Sequence, residues 1–133
     1  MTVFAGFGQE MTERTRAFAL RVYRLCRSLP RNPEAYHMRD QLFRCATSVA
    51  ANYRAALRAK SDRDYLSKLK ICEEESDEAG FWMEMLVACG LVPMRKIEAL
   101  MRESGELTAI ITASCISKRR NMRMRKSGGR EPA

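Results

Sequence analysis

Histidine is almost missing from this chain: His37 is the only one in 133 residues. The five cysteines, Cys26, Cys45, Cys72, Cys89 and Cys115, are odd in number and never form a Cys-x-x-Cys pair. Together these absences leave no donor set for a zinc site. No cysteine has a histidine base with an orienting group beside it, and the scattered serines lack a base, so no catalytic residues, metal or cofactor are expected. Glycine-rich phosphate loops, strand-like alternation, internal repeats and low-complexity inserts are also missing. No run reaches the roughly 18 apolar residues of a membrane span, and the opening MTVFAGFGQEMT lacks a charged stretch followed by a long apolar one. Neither an exported nor a membrane-embedded protein is expected. Thiols set among helical apolar residues behave as small hydrophobes, which suits a reducing, cytoplasmic setting.

What the chain does have is charge, unevenly distributed. Its net charge is +8, with 30% charged and 46% hydrophobic residues. Residues 11–63 carry +8, residues 64–117 carry −5 and residues 118–133 carry +6. A basic half, an acidic half and a basic tail follow one another. Clustered Lys and Arg gain affinity for nucleic acid by releasing phosphate counterions, whereas opposite halves on one subunit also suit head-to-tail self-association.

Four apolar stripes share one spacing. Met11, Thr15, Phe18, Val22, Leu25 and Leu29 step by four and three, as do Met38, Leu42, Cys45, Val49, Asn52, Ala56 and Ala59. Tyr65 through Leu86 and Pro93 through Ser114 repeat that rhythm, the pattern of helices packed nearly parallel or antiparallel. Thr12 is a candidate cap for the first helix, and Asn32-Pro33 a cap and first residue for the second. Ser61-Asp62-Arg63-Asp64 reads as a capping box, while Gly90 and Pro93 separate the third helix from the fourth. Connections this short force antiparallel neighbours, so the expected fold is all-α: an antiparallel up-down-up-down four-helix bundle over residues 11–117. Residues 1–10 read as a loose N-terminus and 118–133 as a basic, disordered tail.

The acidic run KICEEESDEAGFW lies on the third helix. Its core positions are Cys72, Ser76 and Ala79, which turns Glu74 and Asp77 outward and leaves Glu73, Glu75 and Glu78 on the flanks. Antiparallel pairing with the second helix sets Glu75 near Thr47 and Ser48, and Glu78 near Arg44. Glu75 or Glu78 is therefore expected to make charge-assisted hydrogen bonds across that seam. Asn52 occupies a stripe position, where a polar residue can fix register. Phe81, Trp82 and Met85 widen the apolar area and form a candidate protein interface. Candidate nucleic-acid contacts are Arg14, Arg21, Arg24, Arg44, Arg54 and Arg58 on the first two helices, with Lys118, Arg119, Arg120, Arg123, Arg125 and Lys126 in the tail.

The segments VYRLCRSLP, QLFRCATSVAANYRAALRAKSDRDYLSKLKICEEESDEAGFWMEML and ELTAIITAS resemble the bacterial four-helix bundle family that includes proteins encoded in intervening sequences of 23S ribosomal RNA genes. The resemblance spans residues 14–121. Many members carry Pro-Ala-Asn-Ile-Ala-Glu-Gly in the second helix; here Ala50-Ala51-Asn52-Tyr53-Arg54-Ala55-Ala56 keeps the asparagine and lacks the Glu-Gly, as in a distinct branch. The resemblance implies a homopentamer without known catalytic residues. A related member, the accessory variability protein of diversity-generating retroelements, is a basic pentameric bundle that binds a reverse transcriptase and nucleic acid. Only the basic character of Arg14, Arg21, Arg24, Arg44, Arg54 and Arg58 carries over from it. The expected function is thus a non-enzymatic oligomeric bundle that binds RNA, DNA or a ribonucleoprotein electrostatically. A protein–protein adaptor without nucleic-acid affinity is the alternative.

Overall fold

A computed structural model of the chain describes residues 3–128, with side chains from residue 6 onward. Four helices follow in order: α1 Val3–Arg27, α2 Pro33–Leu57, α3 Asp62–Ala88 and α4 Met94–Gly128. Each packs on its two neighbours, α1 on α2 and α4, and α3 on α2 and α4. The result is a square, antiparallel, up-down-up-down bundle. The α1–α4 seam is the thinnest of the four.

Local chemistry explains the helix boundaries. Asn32 Oδ1 accepts a hydrogen bond from Ala35 N at 2.8 Å, with Pro33 at the first helical position, so α2 starts on a satisfied donor. Ser61 Oγ accepts from Asp64 N at 3.0 Å, while Asp64 Oδ2 reaches back to Lys60 N at 3.4 Å. The reciprocal bond thus lands one residue earlier than a standard capping box places it. At the end of α3, Gly90 takes φ +73° and Leu91 N donates to Leu86 O at 2.9 Å, which closes the last turn in a left-handed cap.

The stripes form the core. Thr15, Phe18, Val22, Leu42, Cys45, Val49, Leu69, Cys72, Ala79, Met83, Leu86, Ile97, Leu107 and Ile111 are fully buried. Each large apolar side chain among them contributes about 1.5–3 kcal/mol relative to exposure. Met38, Ala59 and Tyr65 are only half-buried, Val92 is buried in place of Pro93, and two further positions shift. Tyr53 enters the core and Asn52 is only half-buried; late in α4, Cys115 is buried and Ser114 is not. In α4 the two successive steps of four, Leu107 to Ile111 to Cys115, follow the 3.6-residue turn where a strict 3.5-residue pattern would step by three.

Both ends depart from the sequence expectation. Helix α1 already runs through residues 3–10, so Thr12 is no cap: its Oγ1 donates to Gly8 O at 2.8 Å inside the helix. Gly8 lies so close to α2 that an added Cβ would meet Leu57 Cδ2 at 3.3 Å. The chain does not fray after Ser117 either; α4 continues through Gly128, and residues 129–133 lie outside the described region. Lys, Arg and Met are good helix formers, no Gly or Pro interrupts them before Gly128, and Arg125 and Lys126 suit the negative end of the helix dipole. An apolar rhythm reports burial, not helicity.

Candidate nucleic-acid interface

The antiparallel order brings the α2–α3 turn and the last turns of α4 to one end of the bundle. Opposite Asp62, α4 still has about eight residues to run, an overhang of about 12 Å. Two contacts hold its root. Asp62 accepts from Lys118 Nζ at 2.7 Å and Arg125 Nη1 at 3.0 Å, cations seven residues apart and so on one face of α4. Lys118 also lies 5.2 Å from the centre of the Tyr65 ring. The Lys118 ammonium, ahead of Arg125, holds the Asp62 carboxyl below its ordinary range.

Around this anchor lie Lys60 from the turn, Arg63 from the start of α3 and Arg119, Arg120, Arg123 and Lys126 from α4. None has an ion-pair partner among the described residues. Arg119, Arg123 and Lys126 follow one another at four and three residues, so they form a row along the solvent face of the helix. The expected tail cations are therefore present as an ordered basic pole. Lys60 and Arg63, absent from the candidates drawn from sequence, join it because the turn folds back beside α4.

The cations on α1 and α2 do not form one surface. Arg14 is committed internally: Nε donates to Glu103 Oε2 at 2.8 Å, Nη2 to Glu103 Oε1 at 2.7 Å, and Nη2 also to Glu106 at 2.5 Å. This fork closes the α1–α4 seam and holds the Glu103 carboxyl below the usual range. Arg44 is committed as well, with Nη1 3.2 Å from Glu75 and Nη2 2.6 Å from Glu78 across the α2–α3 seam. Both arginines form interhelical clasps in which carboxylates of the acidic half meet their charge. Arg21 and Arg24 are exposed but lie several turns from the pole. Arg54 and Arg58 border a groove between α1 and α2, joined there by Arg16, which sequence reasoning passed over.

The acidic stretch is a lining of seams. Glu78 accepts from Arg44, from the Cys45 thiol at 2.9 Å and from Trp82 Nε1 at 3.1 Å. Those donors, the Cys45 thiol foremost, lower its carboxyl. Burial, reinforced by the hydrogen bond to Glu78, pushes the Cys45 thiol far above its ordinary range. Cys45, Glu75 and Glu78 bring three potential metal donors together. The Arg44 guanidinium lies against both carboxylates there, and burial disfavours the Cys45 thiolate. On the other side of α3, Glu73 Oε2 accepts from Thr112 at 2.6 Å, the Ser76 and Thr108 hydroxyls share a hydrogen bond at 2.8 Å, and Ser104 Oγ donates to Ser76 O at 2.7 Å, all across the α3–α4 seam.

Two further expectations need correction. Asn52 donates to Ser48 O at 2.9 Å and Ser48 Oγ at 3.0 Å, both within α2, and makes no cross-helix hydrogen bond among the described residues. Of the expected patch, only Phe81 is exposed, at 48%. Trp82 is half-buried against the core, bonded to Glu78 and edge-on to His37 at 5.7 Å, and Met85 is half-buried too. Adjacent residues on a helix diverge by about 100°, which separates Phe81 from Trp82.

Topology and seams define an all-α antiparallel four-helix bundle whose polar side chains clasp helix to helix. The description "23S rRNA-intervening sequence protein" matches residues 9–113, and the chain belongs to that family. Its fold is also similar to the crystal structure of a protein with unknown function from the S23 ribosomal protein family of Bacteroides thetaiotaomicron. That likeness has 26% identity and a TM-score of 0.76 and covers 81% of this chain and 96% of the other. No curated protein matches the chain.

Proposed function

We propose that the chain is a non-enzymatic, self-associating bundle that binds RNA or DNA through its basic pole. One observation carries this: Lys60, Arg63, Arg119, Arg120, Arg123 and Lys126 converge on one end without ion-pair partners among the described residues. Such a surface neutralises phosphates without reading bases, so its affinity is electrostatic and independent of sequence. Self-association multiplies the effect, because several poles on one particle engage one strand together. A ring is the assembly that the charge polarity favours, and a pentamer is the ring that the family resemblance implies.

Inertness as an enzyme is supported by how the polar groups are used: the carboxylates on α3 seams are hydrogen-bonded to Arg44, Lys70, Thr112 and Trp82. A cytoplasmic setting is supported by five unpaired thiols, four of them buried. Among the described residues no helix is long and apolar enough to cross a membrane.

The test is binding to a mixed-sequence RNA and to duplex DNA across a salt series, with the full chain and with Arg119, Arg120 and Arg123 changed to Gln. If all three meet phosphates, the substitutions reduce the slope of log affinity against log salt by about 2 for single strands and about 3 for duplex DNA. Affinity indifferent to salt overturns the nucleic-acid role and leaves the adaptor role, and affinity unchanged in the triple variant overturns the basic pole as the binding surface. A specific feature favours a protein partner at a second place: the groove between α1 and α2 has apolar walls.

A further inference from the structure

Between α1 and α2 runs a groove of about 570 Å3 whose floor is made of small residues, Ala19, Ala50 and Ala51 among them. Leu57 and Leu20 border it with 45% and 39% of their surfaces exposed. Arg16, Arg54 and Arg58 stand on its rim. None of the three has a carboxylate partner among the described residues, unlike Arg14 and Arg44 on the same two helices. All three are exposed, so it is the apolar trough between them, not their charge, that distinguishes this surface from a phosphate-binding one. An apolar trough edged with arginines suits an acidic helix with one large apolar residue.

The chain itself carries that helix face. Glu74, Asp77, Phe81 and Glu84 are the exposed stripe of α3, at spacings of three, four and three residues. The three carboxylates have no ion-pair partner among the described residues, and Phe81 is the most exposed of the chain's aromatic side chains that the structure describes. The axial positions agree as well. Gly8 beside Leu57 and Cys26 beside Arg39 fix the register of α1 on α2. From Arg58, Arg54 then lies about 6 Å along the groove, Ala51 about 10 Å and Arg16 about 13 Å. From Glu74, Asp77 lies about 4.5 Å along the stripe, Phe81 about 10 Å and Glu84 about 15 Å. Set side by side, each carboxylate meets an arginine and Phe81 falls on the alanine floor.

We infer that the α1–α2 groove receives the Glu74–Glu84 stripe of α3 from a second copy of this chain. The inference rests on the self-association proposed above and names its two surfaces. Groove and stripe lie on different sides of one subunit, so the contact is heterologous: it propagates from copy to copy and ends in a ring or a filament, never a two-fold dimer. Arg54 and Arg58 then belong to assembly, and the α4 row remains for phosphate.

Light scattering coupled to size exclusion, with the full chain at fixed salt, tests this using two charge-reversed variants. One carries Arg54→Glu and Arg58→Glu, the other Glu74→Arg and Asp77→Arg. Each alone is expected to run as a monomer with unchanged helical circular dichroism, and an equimolar mixture is expected to form heteromers of at least one copy of each, since each supplies the surface that complements the other; strict alternation closes only even-numbered rings, so recovery of the wild-type mass is not required. A third variant, Phe81→Ser, changes an exposed side chain without touching the core and should raise the dissociation constant of assembly roughly tenfold or more. A monomeric wild type overturns both the self-association and this contact. An oligomeric wild type whose variants keep its mass, or whose mixture forms no heteromer, overturns the contact alone. Loss of RNA binding at unchanged mass in the Arg54→Glu, Arg58→Glu variant assigns the groove to nucleic acid and overturns it too. If the reversed variants do not fold, an unchanged assembly constant in Phe81→Ser still refutes it.

Discussion

Replacing Arg14 with Met should loosen the bundle at its thinnest seam and leave nucleic-acid affinity alone. The side chain donates two parallel hydrogen bonds to Glu103, at 2.8 and 2.7 Å, and Glu103 retains only 15% of its side-chain exposure. Removal strands a carboxylate that water reaches poorly. Hydrogen bonds to charged groups contribute about 1.5–3 kcal/mol, and partial exposure of Arg14 reduces this, so the expected loss is about 1–2 kcal/mol. For a domain of this size that lowers the melting midpoint by about 3–8 °C. Glu103→Gln should cost about 1 kcal/mol, and the double variant should show a coupling of about 1 kcal/mol. Urea titrations followed by circular dichroism measure all three, at one protein concentration because self-association shifts apparent stability. Coupling below about 0.3 kcal/mol would refute the clasp. So would an Arg14→Met variant of full stability with weakened RNA binding, since that outcome returns Arg14 to the phosphate contacts.

Two further outcomes follow from the same seams. Glu73, Glu78 and Glu103 have carboxyls held below their ordinary range by Lys70, by the Cys45 thiol and by Arg14 respectively. A depressed folded-state value stabilises above the unfolded value of about 4.3 and loses that contribution as pH falls through the folded one. Stability should therefore be level near neutrality and decline as pH drops below about 4.5. Glu103→Gln should flatten part of that decline, and an unchanged pH profile in this variant would contradict the assignment. The thiols provide the second outcome. Cys89 is exposed, whereas burial raises Cys26 to about 11 and Cys72 to about 12. A thiol reagent at neutral pH should modify Cys89 quickly in the native protein and the four buried cysteines only on unfolding. Fast labelling of Cys45 would mean that its bond to Glu78 does not protect it.

The repeated steps of three and four, together with Asn32-Pro33, Ser61 and Gly90, determined four helices and three short turns, and short turns permit only antiparallel neighbours. These are local or pairwise facts, so one chain suffices to state them. The level pairing of α2 with α3 was legible for the same reason: Arg44, Glu75 and Glu78 follow from a turn at residues 58–61 and a constant rise per residue. The fate of each charge was not legible. Arg14 and Arg21 look alike in sequence, and only the packing of α4 against α1 gives Arg14 a carboxylate fork while Arg21 stays exposed. The last turns of α4 read as a loose tail because they have no apolar stripe. Their helix rests on residue propensity and on Asp62, which lies more than 50 residues earlier in the chain. The turns between the helices and the repeating face of each helix are set by residues close together in the chain, and the sequence by itself determined them, whereas the start of α1 and the end of α4 lay beyond its apolar rhythm. The basic pole, the clasped seams and the arginine-edged groove depend on which helices become neighbours and at what level, and only the tertiary structure decided those.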